Sequence, residues 1–128
     1  MPKRGRTAGN GGKGSSWISK KRRLAIYERD DWCCVWCTEE VFRPHGKEHR
    51  NTDATLDHLR PRSDEGAHET QNLITCCLGC NRLRGNATTS AFAMVIAVRR
   101  QESFRVVRAR ILRAIGKSLP GHTPGAAA

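Results

Sequence analysis

The stretch Leu73-Ile74-Thr75-Cys76-Cys77-Leu78-Gly79-Cys80-Asn81-Arg82-Leu83-Arg84-Gly85 decides the fold. Its opening, Leu73–Cys76, is a short apolar run that predicts a strand. From Cys77 to about Arg84 the pattern predicts a helix, and Gly85-Asn86 supplies its stop. The junction carries Cys77-x2-Cys80. Two residues between cysteines let a tight turn aim both sulfurs at one tetrahedral ion, about 2.3 Å away. A matching pair, Cys34-Val35-Trp36-Cys37, lies upstream, with residues 38–76 (39 in all) between the two. Two such pairs close a four-sulfur shell and leave no position for substrate. Cys34, Cys37, Cys77 and Cys80 therefore predict a structural zinc, whose binding energy is also folding energy. Cys33 and Cys76 leave other registers open: Cys33-x3-Cys37, Cys76-x3-Cys80, or a disulfide between the spare thiols. Otherwise they are small buried residues.

Working outward, Ala54–His58 reads as a second short strand that ends before Pro61. The loop Arg62–Gln71 turns at Gly66, and Thr38–Thr52 is a polar loop with Pro44 and Gly46. Upstream, Ser19–Asp30 predicts a helix with Ser19 as N-cap and Leu24, Ile26 and Tyr27 along its apolar stripe. Downstream, Ser90–Gln101 and Phe104–Ser118 predict two more helices. In the second, Phe104, Val107, Ile111 and Ile115 recur at helical spacing, with Arg105, Arg108, Arg110 and Arg113 on the other faces. No internal repeat is visible beyond the two cysteine pairs. The expected organisation is a basic, disordered arm over residues 1–16, one domain over 17–118 and a flexible tail over 119–128. The fold class is α+β, a hairpin and helix built on a four-cysteine site with flanking helices. Trp17, Trp32 and Trp36 are expected in the core or around the zinc.

The chain has 128 residues and a formal net charge of +11. Its hydrophobic fraction of 38% allows a small core, of the kind that leans on a metal. Charge is unevenly spread: residues 1–23 carry +8, residues 24–98 carry −3 and residues 99–128 carry +6, with Glu102 the lone acid of that last block. Two basic flanks around a slightly acidic middle suit a polyanion partner, and nucleic acid is the natural one. The longest apolar run, Ala91–Val98, is far short of the roughly 20 residues of a membrane helix. No apolar segment follows the basic start, so no secretory signal is expected. A cytoplasmic setting follows, where cysteines serve as metal ligands or free thiols.

A chemical constellation lies between and after the cysteine pairs: Ala54-Thr55-Leu56-Asp57-His58-Leu59-Arg60-Pro61-Arg62-Ser63, then Asn72-Leu73-Ile74-Thr75, then Cys77-x2-Cys80-Asn81-Arg82-Leu83-Arg84-Gly85. Hydrolysis of a phosphodiester needs an activated water, charge neutralisation and leaving-group stabilisation. A histidine titrates near neutral pH and can take the proton from water. An aspartate and an amide oxygen can hold one hard cation with positions left for phosphate oxygens. Consecutive strand residues point to opposite faces, so Asp57 and His58 can share a site only where the strand ends and twists. On the helix, Asn81 is rotated about 100° from Cys80, so one can face zinc and the other the cleft. Arg84, three residues on, lies on nearly the face of Asn81 and is the best candidate to grip a phosphate. Arg60, Arg62 and Arg82 are weaker ones.

Over about residues 24–86 this pattern resembles the HNH endonuclease family: Asp-His before a proline, a glycine-bearing loop, Asn-Leu five residues before C-x2-C, and a polar residue directly after the last cysteine. The resemblance implies a ββα-metal core, about residues 54–86, with the basic helices 90–118 attached. It implies hydrolysis of DNA with one divalent ion, and a 3′-hydroxyl and a 5′-phosphate as products. By it His58 is the general base, Asn72 the middle Asn that braces the loop and the His58 ring, and Asp57 the metal carboxylate. Asn81 stands where the last His would be, an H-N-N form. An oxygen-rich site of this kind favours magnesium or manganese over zinc. Arg105 and Arg108 join the arginines above as nucleic-acid contacts.

No element here looks built for reading bases, so cleavage of low sequence specificity is expected, nicking or double-stranded, in a bacterial or phage-infected cell. The alternatives are a non-catalytic, zinc-dependent nucleic-acid-binding module and a phage packaging accessory protein docked on other machinery. A homodimer is also open.

Overall fold

The computed structural model describes residues 18–60 and 69–120. The expectations for the arm 1–16, for Trp17, Arg62 and Gly66, and for residues 121–128 lie outside the described residues.

Helix α1 (Lys20–Arg29) starts as its sequence dictates: Ser19 Oγ accepts a hydrogen bond from the Arg22 N–H. It buries Ile26 and Tyr27, with Leu24 packed at the edge. Two residues of its polar end are also buried, contrary to what their charge suggests. Arg29 donates from Nε to Asp30 Oδ1 (2.8 Å), from Nη2 to Asp30 Oδ2 (2.9 Å) and to the carbonyl of Leu73 (2.7 Å). Asp30 Oδ2 in turn accepts the Thr75 N–H at 2.9 Å. This internally satisfied pair staples α1 to the sheet; a buried ion pair is tolerated because its polar atoms have partners.

The sheet is one antiparallel pair, β1 (Ala54–His58) and β2 (Leu73–Cys77), in the register Ala54–Cys77, Thr55–Cys76, Leu56–Thr75, Asp57–Ile74 and His58–Leu73. Every residue of β2 is buried, as expected of a strand covered on both faces. β2 runs one residue further than the sequence suggests, because Cys77 is both its last residue and the N-cap of α2 (Leu78–Arg84). Gly85 ends α2 with φ 54°, a backbone geometry that favours glycine. The result is a ββα unit set on a four-cysteine cluster.

The loop Thr38–Thr52 is less irregular than its composition implies. Single bridges tie Cys33 to Glu40 and Phe42 to Asp53, and Val41 is buried. Helices α3 (Thr89–Arg100) and α4 (Phe104–Ile115) begin at Thr88 and Ser103, whose hydroxyls accept the N–H groups of Ala91 and Val106. α3 buries Phe92, Ala93, Ile96 and Ala97, and α4 buries Val107, Ile111 and Ala114. The α4 seam is thus turned slightly from the expected one, leaving Phe104 exposed and Ile115 half-buried. The core centres on Trp36 and Phe92, whose rings meet edge to face at 4.8 Å.

Candidate active site and metal centre

The ligand atoms of Cys34, Cys37, Cys77 and Cys80 lie within 4.8 Å of one another. Cys37 Sγ and Cys77 Sγ, one from each pair, are 3.8 Å apart. A tetrahedral ion with metal–sulfur distances of about 2.3 Å sets its sulfurs about 3.8 Å apart, so the cluster fits zinc. Each pair has the same local chemistry. The Cys37 N–H donates to Cys34 Sγ (3.4 Å) and the Cys80 N–H to Cys77 Sγ (3.3 Å), which stabilises negative sulfur. The Cys37 thiol is pulled down to about 7, chiefly by its hydrogen bond with Cys34. Cys76 shifts the other way: its hydrogen bond with Cys34 and its burial push it well up, so it stays a protonated, packed thiol. Of the registers left open by the sequence, the cluster selects 34, 37, 77 and 80, and all six cysteines are free of disulfides.

The first pair is fastened by residues that the sequence did not single out for it. Arg110 donates from Nε to the carbonyl of Val35 (2.8 Å) and from Nη2 to that of Trp36 (2.6 Å). Arg100 donates to the carbonyl of Cys37 at 2.6 Å. Both guanidinium groups also pair with Glu102, at 3.0 Å and 3.1 Å. Arg110, expected on an outward face of α4, is therefore part of the zinc knuckle's support. The visible clue was Glu102 itself, a single acid in a strongly basic block.

Asp57 lies on the face of β1 that α2 covers. Its Oδ2 accepts the indole N–H of Trp36 at 2.8 Å and the Arg84 Nη1 at 2.6 Å. No hydrogen bond among the described residues goes to Oδ1. The expected role of Arg84 needs correction here. Arg84 is buried, with Nε on the carbonyl of Ala87 (2.9 Å) and Nη2 on Thr89 Oγ1 (2.9 Å), and its guanidinium sits 5.7 Å from the centre of the Trp36 ring. With every nitrogen held inside the fold, Arg84 braces Asp57 and is not placed to reach a substrate phosphate. The sequence set Arg84 on the face of Asn81 correctly, but could not say that this face turns inward at its lower end.

Asn81, one turn earlier on α2, donates from Nδ2 to Thr55 Oγ1 (2.9 Å) and to the carbonyl of Leu56 (3.3 Å). That anchors the amide nitrogen on β1. His58 is the half-buried last residue of β1, opposite Leu73. Just beyond it, Asn72 holds the chain's exit. Asn72 Oδ1 accepts the Arg60 N–H at 2.8 Å, and its backbone carbonyl accepts the Leu59 N–H at 2.9 Å. The strand thus ends at His58. Arg60, Arg82, Arg105 and Arg108 are exposed. Arg62 is outside the described residues.

These observations define a class: a ββα unit joined to a four-cysteine knuckle, with Asp57 and His58 on its first strand and Asn81 bonded to that strand from the helix. Residues 34–87 match the model of the HNH endonuclease family. No curated protein and no solved structure matches the chain. No helix among the described residues is long and apolar enough to cross a membrane.

Proposed function

We propose that this chain is a metal-dependent endonuclease that hydrolyses DNA phosphodiester bonds with little sequence specificity, with His58 as its general base. The observation that supports this most is the state of Asp57: one oxygen is fixed by two donors while the other accepts no bond among the described residues. Metal-binding carboxylates are commonly held this way by their outer partners. Oδ1 of Asp57 and the carbonyl oxygen of Asn81 are hard donors that suit magnesium or manganese, and these two residues would hold the ion. Such a cation, when bound, neutralises charge on the phosphate and stabilises the leaving oxygen.

The remaining work belongs to the chain. The unprotonated ring nitrogen of His58 takes a proton from the attacking water. Asn72 keeps the backbone at Leu59 and Arg60 fixed, so that the ring stays where the strand delivers it. Arg60, Arg62, Arg82, Arg105 and Arg108 contact phosphates flanking the cut. A single site per chain favours nicking, with double-strand cleavage requiring a homodimer.

A plasmid-nicking assay with a magnesium and manganese panel tests the reading. Wild type should convert supercoiled plasmid to open circles, and His58→Ala should lose about 10²–10⁴ of that rate while still retarding DNA in a gel. Wild type that binds DNA and never cuts it would instead make the chain a zinc-dependent binding module. A tight protein partner, with Asp57 and His58 both dispensable to the function it serves, would favour the packaging accessory.

A further inference from the structure

We infer that Trp36 is a positioning residue for the cation site and ties the geometry of that site to the zinc knuckle; the inference rests on Asp57 being a cation ligand, as proposed above. Trp36 lies between Cys34 and Cys37 and is fully buried. It is held on three sides. Its carbonyl accepts Arg110, its ring meets Phe92 edge to face, and its indole N–H donates to Asp57 Oδ2. The backbone around it is closed by the knuckle's own bonds: the Cys37 N–H on Cys34 Sγ and the Thr38 N–H on the Cys34 carbonyl (2.8 Å). Where the knuckle goes, the indole goes.

The other donor to Oδ2 comes from the second cysteine pair. Arg84 ends α2, the helix that Cys77 caps and that carries Cys80. Each pair of zinc ligands therefore delivers one hydrogen-bond donor to the same oxygen of Asp57. Together they fix the carboxylate plane and leave the opposite oxygen for the cation. Arg84 contributes charge as well as direction, whereas Trp36 contributes direction alone. That makes Trp36→Phe the clean probe: it keeps an aromatic ring against Phe92 and removes the N–H.

The test uses the full-length, zinc-loaded protein. Manganese binding is measured by calorimetry for wild type and Trp36→Phe, with zinc content and circular dichroism as checks that the knuckle persists. Loss of an outer partner of a metal ligand weakens metal affinity by about 10–100-fold, and Trp36→Phe should fall in that range with zinc unchanged. A second measurement needs no substitution. In wild type, titration with magnesium should shift the indole N–H resonance of Trp36, because the ion draws electron density from Asp57, while that of Trp32 stays in place. Equal manganese affinity in the two proteins, or an unmoved Trp36 resonance while magnesium saturates the site, would reduce Trp36 to a packing residue and overturn the inference alone. Failure of wild type to bind either ion would overturn the cation site first, and the inference with it.

Discussion

A buried carboxylate is stable only when its charge and lone pairs find partners, and among the described residues the partners of Asp57 all meet one oxygen. Arg84 supplies the compensating charge from a position with little contact with water. Removing one member of such a pair leaves the other uncompensated, which costs about 3–5 kcal/mol. Arg84→Ala should therefore lower the unfolding free energy of the zinc-loaded protein by about that much in a urea titration. Arg82→Ala, an exposed neighbour on the same helix, should stay within about 0.5 kcal/mol. A loss below about 1 kcal/mol at Arg84 would mean that water already solvates Asp57. The cysteines make a second case at this scale. Cys33→Ser and Cys76→Ala should retain one zinc per chain by metal analysis, whereas Cys34→Ser should lose it and unfold. What could be read in advance at single residues follows a physical line. The four ligands were legible because spacing alone fixes how two sulfurs meet one ion. The inward turn of Arg84 was not, because burial depends on what packs over a helix and not on its own sequence.

At the level of elements, local chemistry set most of the boundaries. Ser19, the N-cap read from the sequence, is joined by Thr88 and Ser103 in capping three helices, and Gly85 stops a fourth. The misreadings share a cause. α4 carries both an apolar seam and a ring of arginines, so periodicity alone could not tell an arginine that faces DNA from one that faces the protein. Arg110 does the latter. It joins Arg100 in holding three successive carbonyls, those of Val35, Trp36 and Cys37, while Glu102 holds both guanidinium groups. The α3–α4 hairpin is thereby clamped onto the first zinc knuckle. Hydrogen bonds from Arg110 and then Arg100 hold the Glu102 carboxyl below the usual carboxylate range. A depressed folded-state value stabilises the fold above the unfolded value, and that contribution is lost as pH falls through the folded one. Glu102→Gln should therefore cost about 1 kcal/mol at neutral pH, seen as a lower melting temperature. The gap between variant and wild type should close as the pH drops below the ordinary carboxylate value of about 4.3. An equal gap at both ends of that range would assign the effect to packing and not to charge.

Across the whole molecule, the four-cysteine module is a slightly acidic centre between two strongly basic flanks. The structure divides the arginines of the second flank into two kinds. Arg100 and Arg110 are engaged with the knuckle, whereas Arg99, Arg105, Arg108 and Arg113 are exposed on the same hairpin. Only the second kind is free to replace counterions on DNA, and each phosphate neutralised adds about 0.9 to the slope of log affinity against log salt. The pair Arg105→Ala and Arg108→Ala should thus reduce that slope by about 2 without changing the melting temperature. Arg110→Ala should do the reverse, lowering the melting temperature while the slope changes little in protein that remains folded. Residues 1–16 add four basic groups, Lys3, Arg4, Arg6 and Lys13, so their deletion should flatten the slope further, by up to about 3.6 if all four meet phosphates. Fluorescence anisotropy on a short duplex, from low to moderate salt and with His58→Ala to prevent cutting, reads all of these slopes in one experiment. If the slope fell with Arg110→Ala and held with Arg105→Ala and Arg108→Ala, DNA would have to lie against the knuckle side of α4, and the division drawn from the hydrogen bonds would be reversed.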